Sequence, residues 1–296
     1  MADYRFEVAD AEFRRLVPEG TLVERIAGGL RFTEGPVWRG DHLLFSDIPS
    51  NRIARWRALP EGPELTTFRT PSGNCNGLTL DRSGRLVACE HSGRRVIRVE
   101  ADDSITVLAD RYQGARLNSP NDVVVRSDGS IYFTDPPYGL RNAVEGKELP
   151  YNGVFCQTPE GQMLLIADDF ERPNGLAFSP DETVLYVDDT ARHHIRSFAV
   201  GPDGGVSGGG VFAELRAAEP GGPDGMKVDV EGNVYCTGSG GIWVFAPTGR
   251  KLGRIVLPEQ PANLAWGDAD WRTIFVTART SVYRLRASVP GIPVGI

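Results

Sequence analysis

The chain has 296 residues, 41% of them hydrophobic and 24% charged, with a net charge of −7. That length supports a substantial buried core, while the acidic balance disfavours a nucleic-acid partner, which would call for a basic stripe. No apolar run reaches the roughly 18 residues of a membrane span, and the N-terminus lacks the apolar stretch of a signal peptide, so no membrane partner and a cytoplasmic location are expected.

In chain order, residues 1–20 form an extension with one possible helical stretch at 9–16. TLVERIAG at 21–28 reads as a strand. Six similar units follow. Each opens on a polar residue, continues as a short apolar strand, turns through Gly or charged residues, and ends a second strand on a small or acidic residue. The openings are EGPVW at Glu34, NGLTLDRSGRLVACE at Asn76, NDVVVRSDGSIYFTD at Asn121, NGLAFSPDETVLYVDD at Asn174, DGMKVDVEGNVYCTG at Asp224 and NLAWGDADWRTIFVTA at Asn263. They recur every 46 residues or so on average, the period of propeller blades. Asp81 to Gly84, Asp229 to Gly232 and Ser127-Asp128-Gly129 mark the turn between the first two strands of their units.

Each unit also carries an outer strand before the next opening: ELTTFRT, SITVLAD, QMLLIADD, GGVFAELR and KLGRIVL. After Asn263 the chain has room for about three strands, so the strand at 21–28 is expected to complete the last blade. Closure of that kind removes exposed edges. The predicted fold is all-β: a six-bladed β-propeller in one domain over 1–296, with the propeller at about 21–287. PPYGLRNAVEGKELPYNG at 136–153 is the candidate loop over the channel mouth.

Innermost strands line the axis of a propeller, so the six opening residues should form one ring at one depth. All six carry side-chain oxygen. Two carboxylates and several amides suit Ca²⁺, and the lack of His or Cys disfavours Zn or Cu. Asn76 and Asn263 are either structural remnants of the repeat or part of a substrate pocket. Of four histidines, His42, His193 and His194 are assigned to surface turns, whereas His91 follows Glu90 at a strand end and could face the mouth. Asp168-Asp169 and Asp188-Asp189 read as solvated turns. Gly238-Ser239-Gly240 is not a nucleophile elbow, and the four cysteines form no C-x-x-C pair.

These motifs resemble the gluconolactonase/regucalcin (senescence-marker-protein) family. The carrying segments are EGPVW at 34–38, NGLTLDRSGRLVACEH at 76–91, RLNSPNDVVVRSDGSIYFTDPPYG at 116–139, RPNGLAFSPDE at 172–182, GPDGMKVDVEGNVYCTG at 222–238, and NLAWG with TARTSVYRL at 263–285. The wording is closest to the bacterial gluconolactonase branch. The resemblance implies a lactonase with one divalent metal, Ca²⁺ foremost and Mg²⁺, Mn²⁺ or Zn²⁺ as alternatives. It assigns Glu34, Asn174 and Asp224 as metal ligands, with Asn121 on the metal or its water and on substrate. Arg116 and Asn118 would hold sugar hydroxyls, with Asn76 and His91 nearby. Asp224 is the expected general base in opening an aldono-1,5-lactone. A phosphotriesterase-type hydrolase on the same site, or a non-catalytic calcium- or sugar-binding propeller, are the alternatives. The protein would be a monomer or homodimer.

Overall fold

A computed structural model describes residues 4–201 and 204–295; residues 1–3 of the N-terminal extension and Ile296 lie outside the described residues. The chain folds as a six-bladed β-propeller. The innermost strands are Thr33–Arg39, Cys75–Leu80, Val123–Val125, Pro173–Phe178, Met226–Val228 and Asn263–Gly267. Each touches the next around the ring, and the last packs on the first. Every blade is a four-stranded antiparallel meander. The sixth, however, takes its outer strand from Glu24–Ala27, which pairs with Ser281–Arg286. The strand expected at 21–28 therefore closes the ring.

The buried apolar residues divide into six clusters, one at each blade–blade interface. Strand side chains alternate between faces, so one set serves one neighbouring blade and the other set serves the next. In the second strand of blade 2, Val87 and Cys89 join the blade 3 cluster, while Leu86 and Ala88 join that of blade 1. This is why these strands read as nearly continuous apolar runs.

The N-terminal extension packs on the ring. Arg5–Val8 adds a fifth strand to blade 5 beside Lys251–Val256, and the short helix Glu12–Leu16 buries Phe13 and Leu16 completely in the cluster between blades 5 and 6. At the other end of the chain, Val230 donates its N–H to Pro290, Val294 packs on the cluster between blades 1 and 2, and Gly295 lies against Leu80. This segment crosses the far end of the channel and lines a partly open cavity of about 180 Å³ there. No helix among the described residues is long and apolar enough to cross a membrane.

Two devices fix the polar ring. First, the innermost strands of blades 1, 2 and 4 bulge just past Glu34, Asn76 and Asn174, while in blades 3 and 5 ladder pairing begins two residues after Asn121 and Asp224. A bulge re-aims a side chain, here toward the axis. Second, adjacent blades are joined by hydroxyls. Ser46 Oγ donates to the Asn76 carbonyl, Thr134 Oγ1 to that of Asn174, and Thr237 Oγ1 to that of Ala262, each at 2.7 Å. Glycine permits the close approach. A Cβ on Gly175 would overlap the Asp224 carbonyl oxygen, and one on Gly35 would overlap that of Asn76 at a φ of +50°. Gly175→Ala should destabilise the fold by about 3 kcal/mol through overpacking, lowering Tm by several degrees in thermal unfolding.

Candidate functional site

The ring residues meet at the end of the channel where the innermost strands begin. Glu34 is buried; its Oε2 accepts from the Gly35 N–H and, at 3.0 Å, from Asn263 Nδ2. Asn263 Nδ2 also lies 3.4 Å from Asp122 Oδ2, and its Oδ1 accepts from the Leu264 N–H and from Lys227 Nζ. Asp224 is half-buried, with Asn174 and Glu34 among the groups that act on its carboxyl. Asn174 Nδ2 donates to Thr190 Oγ1 at 3.0 Å. Asn76 Nδ2 faces His91 Nε2 at 3.4 Å, which leaves its buried Oδ1 without a partner among the described residues. Asn121 is buried, its N–H donating to Thr134 and its carbonyl accepting from Gly77.

The electrostatics are set by carboxylates taken out of water together. Burial, then the Asp122 carboxylate, push Glu34 up to about 7. Asp224 stands well above the ordinary carboxylate range, through burial and then through Glu34 and Asp122. Asp188 is raised for the same kind of reason, by burial followed by Asp224 and Asp122. Lys227 Nζ is the nearby cation, 3.8 Å from Asp122 Oδ2. Buried carboxylates that repel one another are stabilised by a divalent cation. Among the described residues no three His, Cys, Asp or Glu side chains form a metal cluster. A cation here would therefore draw on amide oxygens as well as on Glu34 and Asp224, the mixed oxygen set that Ca²⁺ takes.

The other expected residues are distributed differently. His91 is buried beside Asn76, and burial lowers it to about 4, so its imidazole is neutral at pH 7. Arg116 sits in a small ribbon outside the ring, its N–H on Glu148 and its guanidinium 3.3 Å from the Gly93 carbonyl. Asn118 is fully buried behind the mouth, with Nδ2 donating to the carbonyls of Asp135 and Tyr151. Asp188 and Asp189, expected in a solvated turn, are instead completely buried at the end of a second strand. Asp189 caps the backbone N–H groups of Glu171 and Arg172 ahead of Asn174, and Asp47 does the same for Arg31 and Phe32 ahead of Glu34. His193 occupies a turn at positive φ, whereas His42 and His194 begin strands.

Asp122, Lys227, Asp188 and Thr190 escape a reading based on the opening residues alone. For Asp122 a signal existed. The residue after the opening is Gly in blades 1, 2, 4 and 5, and in blade 3 it is a carboxylate.

A sequence profile for the SMP-30/Gluconolactonase/LRE-like region matches residues 32–280. The chain is 37% identical to a gluconolactonase of Zymomonas mobilis, over 92% of this chain and 83% of that protein. It is 29% identical to a pentonolactonase of Haloferax volcanii, over 87% and 84% of the two chains. The solved structure of a Xanthomonas campestris gluconolactonase superposes with a TM-score of 0.85 at 34% identity, covering 95% of this chain and 94% of that one.

The loop after Asp135 is tied to the rim of the ring. Asp135 Oδ2 accepts from the Asn118 N–H at 2.7 Å, and Arg94 Nη1 donates to the Gly146 carbonyl at 2.8 Å. Burial pushes the Asp135 carboxyl up to about 7, against hydrogen bonds from Asn118 and Ser119 that lower it. The folded protein therefore holds this proton to higher pH than the unfolded chain does, and stability falls as pH rises from about 4 through 7. Asp135→Asn, which mimics the protonated acid, should lose less Tm between pH 5 and 8 than the wild type. An unchanged pH slope in differential scanning calorimetry would contradict this.

Proposed function

We propose that this chain, which belongs to the SMP-30/Gluconolactonase/LRE-like family and is a lactonase, opens an aldono-1,5-lactone to the aldonic acid at a single divalent-cation site. The observation that carries the reading is the pairing of Glu34 with Asp224 in one cluster, beside Asn174 and an Asn76 oxygen that is buried without a partner among the described residues. Glu34, Asn174 and Asp224 would hold the cation, with Asn121 completing the set or meeting the substrate. Ca²⁺ is the ion this donor set favours. When bound, it polarises the lactone carbonyl and stabilises the charge that develops on the oxygen.

The chain's own groups do the rest. Asp224 takes a proton from the attacking water as that water bonds to the carbonyl carbon. The ring C–O bond then breaks, and the same proton passes to the departing ring oxygen. Asn263 and Lys227 hold Glu34 and Asp122 in place beneath. Asn76 and the neutral His91 offer hydrogen-bonding groups to sugar hydroxyls. Asn118, buried behind the mouth, supports the covering loop from its base. A cytoplasmic enzyme acting on sugar lactones fits this reading.

Acid release should be measured with glucono-, galactono- and xylonolactones after chelation and after adding back Ca²⁺, Mg²⁺, Mn²⁺ or Zn²⁺. Chelation should remove the activity and at least one of these ions should restore it. A chelated protein that retains full turnover would refute the cation site. Asp224→Asn should lower kcat by on the order of 10³-fold, in the range of a lost general base, while weakening cation binding far less. Unchanged turnover in that variant would sink the role given to Asp224.

A further inference from the structure

Residues 136–139 cross the mouth from blade 3. Ser119 Oγ donates to the Pro136 carbonyl at 2.6 Å and accepts from the Gly139 N–H at 2.8 Å. Gly139 is pressed against the His91 and Ser119 side chains so closely that a Cβ would overlap both. Between these anchors Tyr138 is held with 37% of its surface exposed. Thr190, Asp224 and Asp188 are among the groups that act on its hydroxyl. The Arg172 guanidinium lies over its ring at 5.8 Å. Thr190 Oγ1 is shared: it accepts from Asn174 Nδ2 and donates to the Pro223 carbonyl at 2.7 Å, next to Asp224. A partly exposed phenol thus stands near the hydroxyl that orients a ring amide. Its position is fixed by backbone contacts on both sides, as positioning of a substrate requires.

Resting on the lactonase reading above, we propose that Tyr138 is a specificity-determining residue, whose hydroxyl hydrogen-bonds one hydroxyl of the bound sugar lactone while Arg172 holds the ring in place. A polyhydroxylated lactone entering past the loop would present its hydroxyls to the Tyr138 phenol. The phenol remains protonated for this at neutral pH, since burial pushes it up to about 12.

The test combines Tyr138→Phe with glucono-1,5-lactone and its single-deoxy forms, measured with the restoring cation present. Tyr138→Phe should lower kcat/KM on gluconolactone about tenfold, the scale of one hydrogen bond, chiefly through KM, with cation affinity and Tm unchanged. One deoxy lactone should show the same loss with wild-type protein and no further loss with Tyr138→Phe, because both changes remove the same bond. An equal loss on every lactone, or none on any, would overturn the assignment while leaving the lactonase reading intact. Wild-type protein that opens none of these lactones would refute the lactonase reading, and this assignment with it.

Discussion

Repulsion among buried carboxylates is the constraint on which the rest of this molecule depends. Glu34, Asp122, Asp188 and Asp224 converge where the six blades meet, and burial together with their mutual fields raises Glu34, Asp188 and Asp224. In a low-dielectric interior such a group must hold protons, gain cations, or come apart. Lys227 and the Asn263 amide supply part of the compensation. The rest of the repulsion is what the proposed divalent cation would relieve, held by the same groups that need the charge.

Holding these groups together demands a scaffold that leaves them little freedom. Six apolar clusters, one at each blade interface, wedge the blades into a ring. The strand Glu24–Ala27 seals it against Ser281–Arg286. Within the ring, glycines let neighbouring backbones touch, and the hydroxyls of Ser46, Thr134 and Thr237 bridge from one blade to the next. Each ring side chain thus stands on a backbone that its neighbours hold. The carboxylates of Asp47 and Asp189 tie down the segments that lead into Glu34 and Asn174. A repeated acidic residue at the end of the second strand is therefore structural in these blades, unlike the acidic residues gathered at the axis.

The two ends of the channel differ. At one end the loop following Asp135 reaches over the ring and brings Tyr138 to Thr190. At the other, the C-terminal segment crosses between blades and packs Val294 and Gly295 onto blade 2. The carboxylates lie toward the first end, where the innermost strands begin. The far end is apolar, lined by residues such as Leu78, Phe178 and Trp266.

What the sequence determined by itself was everything that repeats. Six openings at a near-constant period, with alternating apolar strands and Gly or Asp turns, are sufficient to specify a propeller, its strand-exchange closure and a ring of six oxygen-bearing residues. Periodic local pattern survives in a one-dimensional record because each blade meets the same steric demands. What only the tertiary structure decided was everything that breaks the repeat. Asp122 is legible as an acidic residue in a position where other blades carry Gly, but its approach to Asn263 and Lys227 joins segments more than a hundred residues apart. Asp188 and Asp189 look like a solvated acidic pair until strand pairing buries both. Asn118 and Arg116 stand close to Asn121 in sequence, yet the chain turns before the innermost strand begins and leaves them behind the ring. Tyr138 belongs to no repeat at all, and its place over the mouth follows from contacts with blades 2 and 4. Burial and through-space charge depend on which segments meet, and that is fixed only when the ring closes.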